Sequence, residues 1–196
     1  FRDAATQVAS EGLRFDTQAY QPTVVFLNGE YWGILNLREH MDEHYLKRVH
    51  GVKEKDLDLM DGHEADEGDD HHWKALLAYL RNHDLGEQAH YAHVETQVDI
   101  DNFIDYQIAN IYANNGDWPH NNQRFWRVRR TAAAADAPPG HDGRWRWLMF
   151  DVDRGLAVTA GERLRQVGSD GANQRRLNDD TRALFIHLLK NPGFRE

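Results

Sequence analysis

The sequence predicts an α+β domain, and three observations support this class. Asn28-Gly29 lies between two runs rich in apolar residues, which is the strongest short-range signal of a β-hairpin. Apolar residues recur at helical spacing over residues 70–83 and again after Asp99. Two stretches, at 123–130 and 144–150, alternate bulky with basic residues as strands do. Short strands and amphipathic helices therefore share one chain, which shows no internal repeat.

Weaker signals complete one partial domain over residues 1–196. The helix after Asp99 should begin there, because an Asp side chain accepts a backbone N–H at a helix N-terminus. It should end at Asn114, where Asn-Asn-Gly interrupts the apolar pattern. The other predicted elements are helices at 1–11, 40–50, 87–97 and 180–190 and a short strand at 57–60.

Two segments lack a core pattern. Residues 61–72 form an acidic, histidine-bearing stretch that we predict to be a solvated loop. Its His, Asp and Glu side chains are competent metal ligands, but no zinc-like HExxH spacing occurs. Residues 131–143 have turn chemistry and predict an insert within a hairpin. The basic residues of the flanking strands (Arg127, Arg129 and Arg146) are predicted to be surface charge.

The composition excludes several functional classes. The net charge of −9 disfavours a general nucleic-acid-binding role, because phosphate backbones are met by clustered Lys and Arg. The absence of cysteine removes disulfide scaffolds, cysteine nucleophiles and thiolate zinc sites. No apolar run approaches the roughly 20 residues of a membrane-spanning helix. The chain starts at Phe1 within a helical pattern, so we expect it to be cut from a longer protein.

Three polar residues have the spacing of a phosphoryl-transfer site. Such a site needs an orienting or acid–base carboxylate and oxygen ligands for Mg²⁺. Asn122 follows Asp117 by five residues, which is the interval of the catalytic loop in protein kinases. Two strands follow, and the second ends near Asp151 and Asp153, where kinases place a metal-binding Asp. This order strengthens an interval that is a weak signal alone.

The same residues lie within a longer set of motifs. These are LNGEYWG at 27–33, NLRE at 36–39, the block 115–122, and an aromatic strand with its Asp-x-Asp at 147–153. In this order they resemble the CotH kinase family, the atypical protein kinases associated with bacterial spore coats. The resemblance implies a kinase-like fold, with ATP- and Mg²⁺-dependent (or Mn²⁺-dependent) phosphorylation of protein Ser or Thr. It also implies a location outside the cytoplasm, at the cell surface or in a spore coat.

The resemblance implies a role for each site residue. Asp117 matches the catalytic Asp, Asn122 the metal-binding Asn, and Asp151 the metal-binding Asp. Asp153 imitates the Asp-x-Gly of kinases, so the choice of principal metal ligand stays open between these two aspartates. Glu39 matches the glutamate that pairs with the nucleotide-binding lysine.

The chain departs from the family pattern in two ways. The strands that carry the lysine are expected before Phe1, so the chain resembles a fragment that lacks them and part of the C-terminal region. The insert at 131–143 is longer than such hairpins need, and we expect it to extend away from the site.

Simpler explanations exist for these residues. Asp117 and Asn122 are also common turn residues, Asp151 and Asp153 can be a solvated strand end, and Glu39 can be a helix-dipole partner. Two other functional classes are a structural or coat-assembly protein that keeps the fold without turnover, and a metal-dependent hydrolase. The hydrolase lacks a convincing His ligand set. Loss of the catalytic and metal-binding residues would favour the structural protein, yet all are present.

Overall fold

The computed structural model describes residues 1–130, 137–156 and 179–196. The helices are α1 (Arg2–Ala9), α2 (Glu43–His50), α3 (His71–Asn82), α4 (Gln88–Glu95), α5 (Ile100–Tyr112), α6 (Asp179–Leu188) and α7 (Pro192–Arg195). The strands are β1 (Tyr20–Leu27), β2 (Glu30–Arg38), β3 (Leu57–Asp61), β4 (Glu64–Glu67), β5 (Arg124–Val128) and β6 (Arg146–Leu148). This mixture of helices and small antiparallel sheets agrees with the predicted α+β class.

Four strands form an antiparallel sheet in the order β4-β3-β5-β6. Because successive side chains of a strand point to opposite faces, β5 places Phe125 on one face and Trp126 on the other. Each face is covered by a buried apolar cluster, so the sheet lies at the centre of the core. The Phe125 cluster includes Trp73, Phe103, Trp145 and Trp147, and the Trp126 cluster includes Met41, Leu46, Leu59 and Leu148.

The β1–β2 hairpin is a separate two-stranded sheet. Its register pairs Leu27 with Glu30 and leaves Asn28 and Gly29 as the turn. Both turn residues have positive φ, 52° and 87°, as a type I′ turn requires, so the predicted turn is confirmed. Many large apolar side chains of the hairpin are exposed: Val24, Phe26, Leu27, Tyr31, Trp32, Ile34, Leu35 and Leu37.

Most of the other predicted elements are confirmed, with shifted ends. Asp99 caps α5 as predicted, since its carboxylate accepts a hydrogen bond from the Asn102 N–H (3.2 Å). The loop predicted over 61–72 is wrong in part, because Glu64–Glu67 forms β4 against β3 and α3 begins at His71. The residues of β4 are mostly charged and exposed, so no alternating apolar pattern marks this strand.

The surface position predicted for the strand arginines is wrong for Arg127 and Arg146. The Arg127 side chain is only 7% exposed and donates to the buried carboxylate of Asp58. Arg146 is 11% exposed and pairs with Asp99. Arg129 remains 39% exposed, but its Nε donates to Asp58 at 2.6 Å. Buried guanidinium groups need such partners, because an unpaired charge in the interior is strongly destabilising.

One histidine of the acidic segment has a structural contact. His72 is half-buried, and its Nδ1 accepts a hydrogen bond from the indole Nε1–H of Trp145 (3.0 Å). Burial, followed by the charge of Arg127, lowers the pKa of His72. A neutral imidazole can accept this bond, so the expectation that His72 is only solvated surface is wrong.

Part of the 131–143 insert packs on the sheet. Residues 131–136, like the polar segment 157–178, lie outside the described residues. In the remainder, a Cβ at Gly140 would lie 2.6 Å from the ring of Trp126, so the chain passes very close to that ring. The Nε2 of His141 lies 2.6 Å from the carbonyl oxygen of His50, at the end of α2. Within the described ranges, no helix combines the length and the apolar character needed to cross a bilayer.

Candidate active site

The loop after α5 is shaped by its own side chains. Asn115 is buried, with its Nδ2 donating to Asn110 of α5 (3.0 Å) and its Oδ1 accepting from the N–H of Asp117 (3.3 Å). The next residue, Trp118, is buried in the core. Anchors on both sides therefore fix the backbone at Asp117, whose side chain stays 26% exposed.

Asn122 joins this loop to the segment after β6. Its Nδ2 donates to the carbonyl oxygen of Asp151 at 2.8 Å. Both residues have positive φ, 57° and 48°, a conformation that Asn and Asp tolerate better than most residues. The predicted metal ligands are therefore in contact although 29 positions separate them. Two backbone hydrogen bonds add to this junction: Gly116 N–H to the Arg154 carbonyl (3.2 Å) and Leu156 N–H to the Ala113 carbonyl (2.6 Å).

Asp151 lies among like charges. Its burial, followed by the negative charges of Asp153 and Asp117, raises the pKa of the Asp151 carboxyl. The positive charge of Arg38 and a hydrogen bond from Asn122 act in the opposite direction. The structure thus brings together Asp117, Asn122, Asp151 and Asp153, and their chemical roles remain predictions.

The donor set fits a hard divalent cation. Mg²⁺ is usually held by one or two carboxylates plus phosphate oxygens and waters, without a closed protein cage. No group of three or more His, Asp or Glu side chains in the described parts of the chain is arranged to hold a metal ion. A cation at the open site would relieve the repulsion that Asp117 and Asp153 exert on Asp151. These carboxylates therefore fit a cation that brings its remaining ligands with it.

The contacts of Glu39 lie at α2 and near the start of β1. Its carboxylate pairs with Arg48 and accepts a hydrogen bond from the Ala19 N–H (3.2 Å). Its neighbour Arg38, rather than Glu39, interacts with the charge of Asp151. The pairing of Glu39 with a nucleotide-binding lysine stays a prediction.

A comparison with known families distinguishes among the interpretations of these motifs. The family model described as CotH kinase protein matches residues 1–196, the whole chain. The chain belongs to the CotH kinase family. The predicted resemblance is therefore confirmed, and membership in the CotH family implies a kinase-like fold. No curated protein and no solved structure matches the chain.

The structure adds contacts to the CotH motifs that sequence reasoning did not assign. The N–H of Val152 donates to Asp3 Oδ1 (3.1 Å), and the Asp3 carboxylate also pairs with Arg38. The available signal was the spacing of polar residues on α1, including Asp3 and Gln7. Such spacing alone does not distinguish a buried polar face from a solvated one.

Proposed function

We propose that the chain catalyses Mg²⁺-dependent transfer of the γ-phosphoryl group of ATP to Ser or Thr hydroxyls of an acceptor protein. The observation that carries this proposal is the cluster of Asp117, Asp151 and Asp153 where Asn122 joins the two loops. Membership in the CotH kinase family supports the same reaction class. A location outside the cytoplasm, at the cell surface or in a spore coat, belongs to the proposal on family grounds alone.

In this proposal, Asp117 is the residue that acts on the acceptor hydroxyl. It would orient that hydroxyl and take its proton as the oxygen bonds to the γ-phosphorus and the bond to the bridging oxygen breaks, leaving ADP. The Asp117 carboxylate is partly exposed. It forms an ion pair with Arg154 (3.3 Å), whose side chain is 67% exposed. Exposed pairs of this kind are weak, so an incoming acceptor can compete for Asp117.

Asp151, Asp153 and Asn122 are the residues that would hold Mg²⁺. When bound, the cation would neutralise charge on the phosphate oxygens. The Nδ2 of Asn122 is already used on the Asp151 carbonyl, which leaves its Oδ1 as the amide atom for a cation. Asp151 and Asp153 would supply the negatively charged oxygen atoms that attract a hard cation to this site.

The alternative is a structural or coat-assembly protein that retains this fold with little turnover. A transfer assay on the full-length protein with γ-radiolabelled ATP, Mg²⁺ or Mn²⁺ and generic acceptor proteins separates the two. We expect label on Ser or Thr, lost in Asp117→Ala while nucleotide binding persists, and reduced to an intermediate level in Asn122→Ala. Absence of label with either metal, or full labelling by Asp117→Ala, would contradict the proposed enzyme.

A further inference from the structure

Two side chains of helix α1 form hydrogen bonds with the segment that carries Asp151. Asp3 and Gln7, one helical turn apart, face the same side, where Asp3 accepts from the Val152 N–H and Gln7 Nε2 donates to the Met149 carbonyl (3.2 Å). Gln7 is only 2% exposed. Two side chains from one helix therefore hold the backbone on both sides of Asp151.

The peptide unit between Asp151 and Val152 is held at both ends. Its carbonyl accepts from Asn122 (2.8 Å), and its N–H donates to Asp3 (3.1 Å). Asp151 has φ 48°, and a non-glycine residue in this region costs on the order of 1 kcal/mol or more, so surrounding contacts must maintain it. The backbone that aims the Asp151 carboxylate thus depends on one side chain from each of two elements.

Arg38 fixes the other side of Asp3. The two side chains form an ion pair and are 21% and 17% exposed, so the pair is largely shielded from water. Arg38 lies at the end of β2, so the carboxylate of Asp3 connects α1 to both β2 and the segment after β6. Its two oxygens have different partners, since Oδ1 accepts from Val152 and Oδ2 pairs with Arg38.

We propose that Asp3 is a positioning residue that, supported by Arg38, holds the Asp151–Val152 peptide in the orientation that directs Asp151 to the metal. The effect on metal binding rests on the proposed function, whereas the effect on the Val152 amide does not. A different role for an acidic residue in a first helical turn is interaction with the helix dipole. That role would change helix stability without a specific effect at Val152.

The test uses the full-length protein with Asp3→Ala, Asp3→Asn and a control, Glu11→Gln, which removes an exposed carboxylate just beyond α1. Hydrogen exchange of the Val152 amide is followed by NMR, and Mg²⁺ affinity is measured separately. We expect Asp3→Ala to accelerate Val152 exchange and weaken Mg²⁺ binding about 10- to 100-fold, the usual effect of losing a residue that orients a ligand. Asp3→Asn keeps an oxygen for the Val152 N–H and should lie between Asp3→Ala and wild type.

Equal exchange at Val152 in Asp3→Ala, Glu11→Gln and wild type would overturn the proposal. So would a loss of protection that is uniform along α1, because that result indicates a helix-dipole role. If Asp3→Ala does not fold, Asp3→Asn decides by the same measurements. A wild-type protein without phosphotransfer would refute the proposed function, and the exchange at Val152 would still decide the role of Asp3.

Discussion

The two β-hairpins of the domain have opposite environments. In β1–β2 the large apolar side chains are exposed, among them Trp32 at 66%. In β5–β6 the equivalent side chains are buried, and Trp147 is fully covered. The β5–β6 hairpin pairs with a third strand, β3, and helices pack on its faces. The β1–β2 hairpin pairs with no other described strand.

The candidate site takes its position from the buried hairpin, β5–β6. The residues after β6 directly follow a strand that is fixed in the core. Hydrogen bonds from α1 and from the loop after α5 then hold these residues in place. The β1–β2 hairpin contributes Arg38 only at its end, where β2 reaches Asp3. Large apolar side chains are therefore buried in one hairpin and exposed in the other, because the partners of each hairpin differ.

The largest expected effect is loss of the Trp147 side chain. Trp147→Ala removes a fully buried indole and should reduce the free energy of unfolding by about 3–5 kcal/mol. The matched variant Trp32→Ala, in the exposed hairpin, should change it by less than about 0.5 kcal/mol. Urea denaturation of both variants measures this difference. Similar losses would show that the β1–β2 hairpin is buried in solution.

A smaller effect is expected on β3, the strand next to β5 in the central sheet. Asp58 is buried and pairs with Arg127 and Arg129, so Asp58→Ala should cost about 3 kcal/mol by leaving a buried guanidinium unpaired. Asp61, on the same strand, is 49% exposed and pairs with Arg124, and Asp61→Ala should cost less than about 1 kcal/mol. Thermal or urea unfolding compares them, and an equal cost would contradict a special role for burial.

Local signals predicted the features that depend on neighbouring residues. The Asn28-Gly29 turn and the Asp99 cap follow from two or three adjacent positions, and both are confirmed. The pairing of Arg127 could not be predicted, since its partner Asp58 lies 69 positions away. For the same reason the contact of Asp3, 149 positions from Val152, is visible only in the fold. The cluster around Asp151 was predicted through motif order, not through geometry.

A modest effect is expected from the charge at the end of the buried hairpin. The pKa of Asp151 is raised in the folded protein. The ionised carboxylate therefore lowers the free energy of unfolding at pH values above that pKa. This destabilisation disappears as the pH falls through the pKa. Without Mg²⁺ at neutral pH, Asp151→Asn should therefore be more stable than wild type, by less than about 1 kcal/mol because solvent screens the site. Melting temperatures at neutral and acidic pH test this. A less stable variant at neutral pH would contradict the described repulsion.

The most direct test of the proposed active site is Mg²⁺-dependent phosphotransfer by Asp151→Ala in the full-length protein. The control is Asp101→Ala, which removes an exposed carboxylate (68%) from the first turn of α5. That helix has 13 residues, so Asp101 lies about 20 Å from the loop that follows its other end. We expect Asp151→Ala to reduce transfer to background and Asp101→Ala to retain wild-type activity. Wild-type transfer by Asp151→Ala at ordinary Mg²⁺ would show that the active site lies elsewhere.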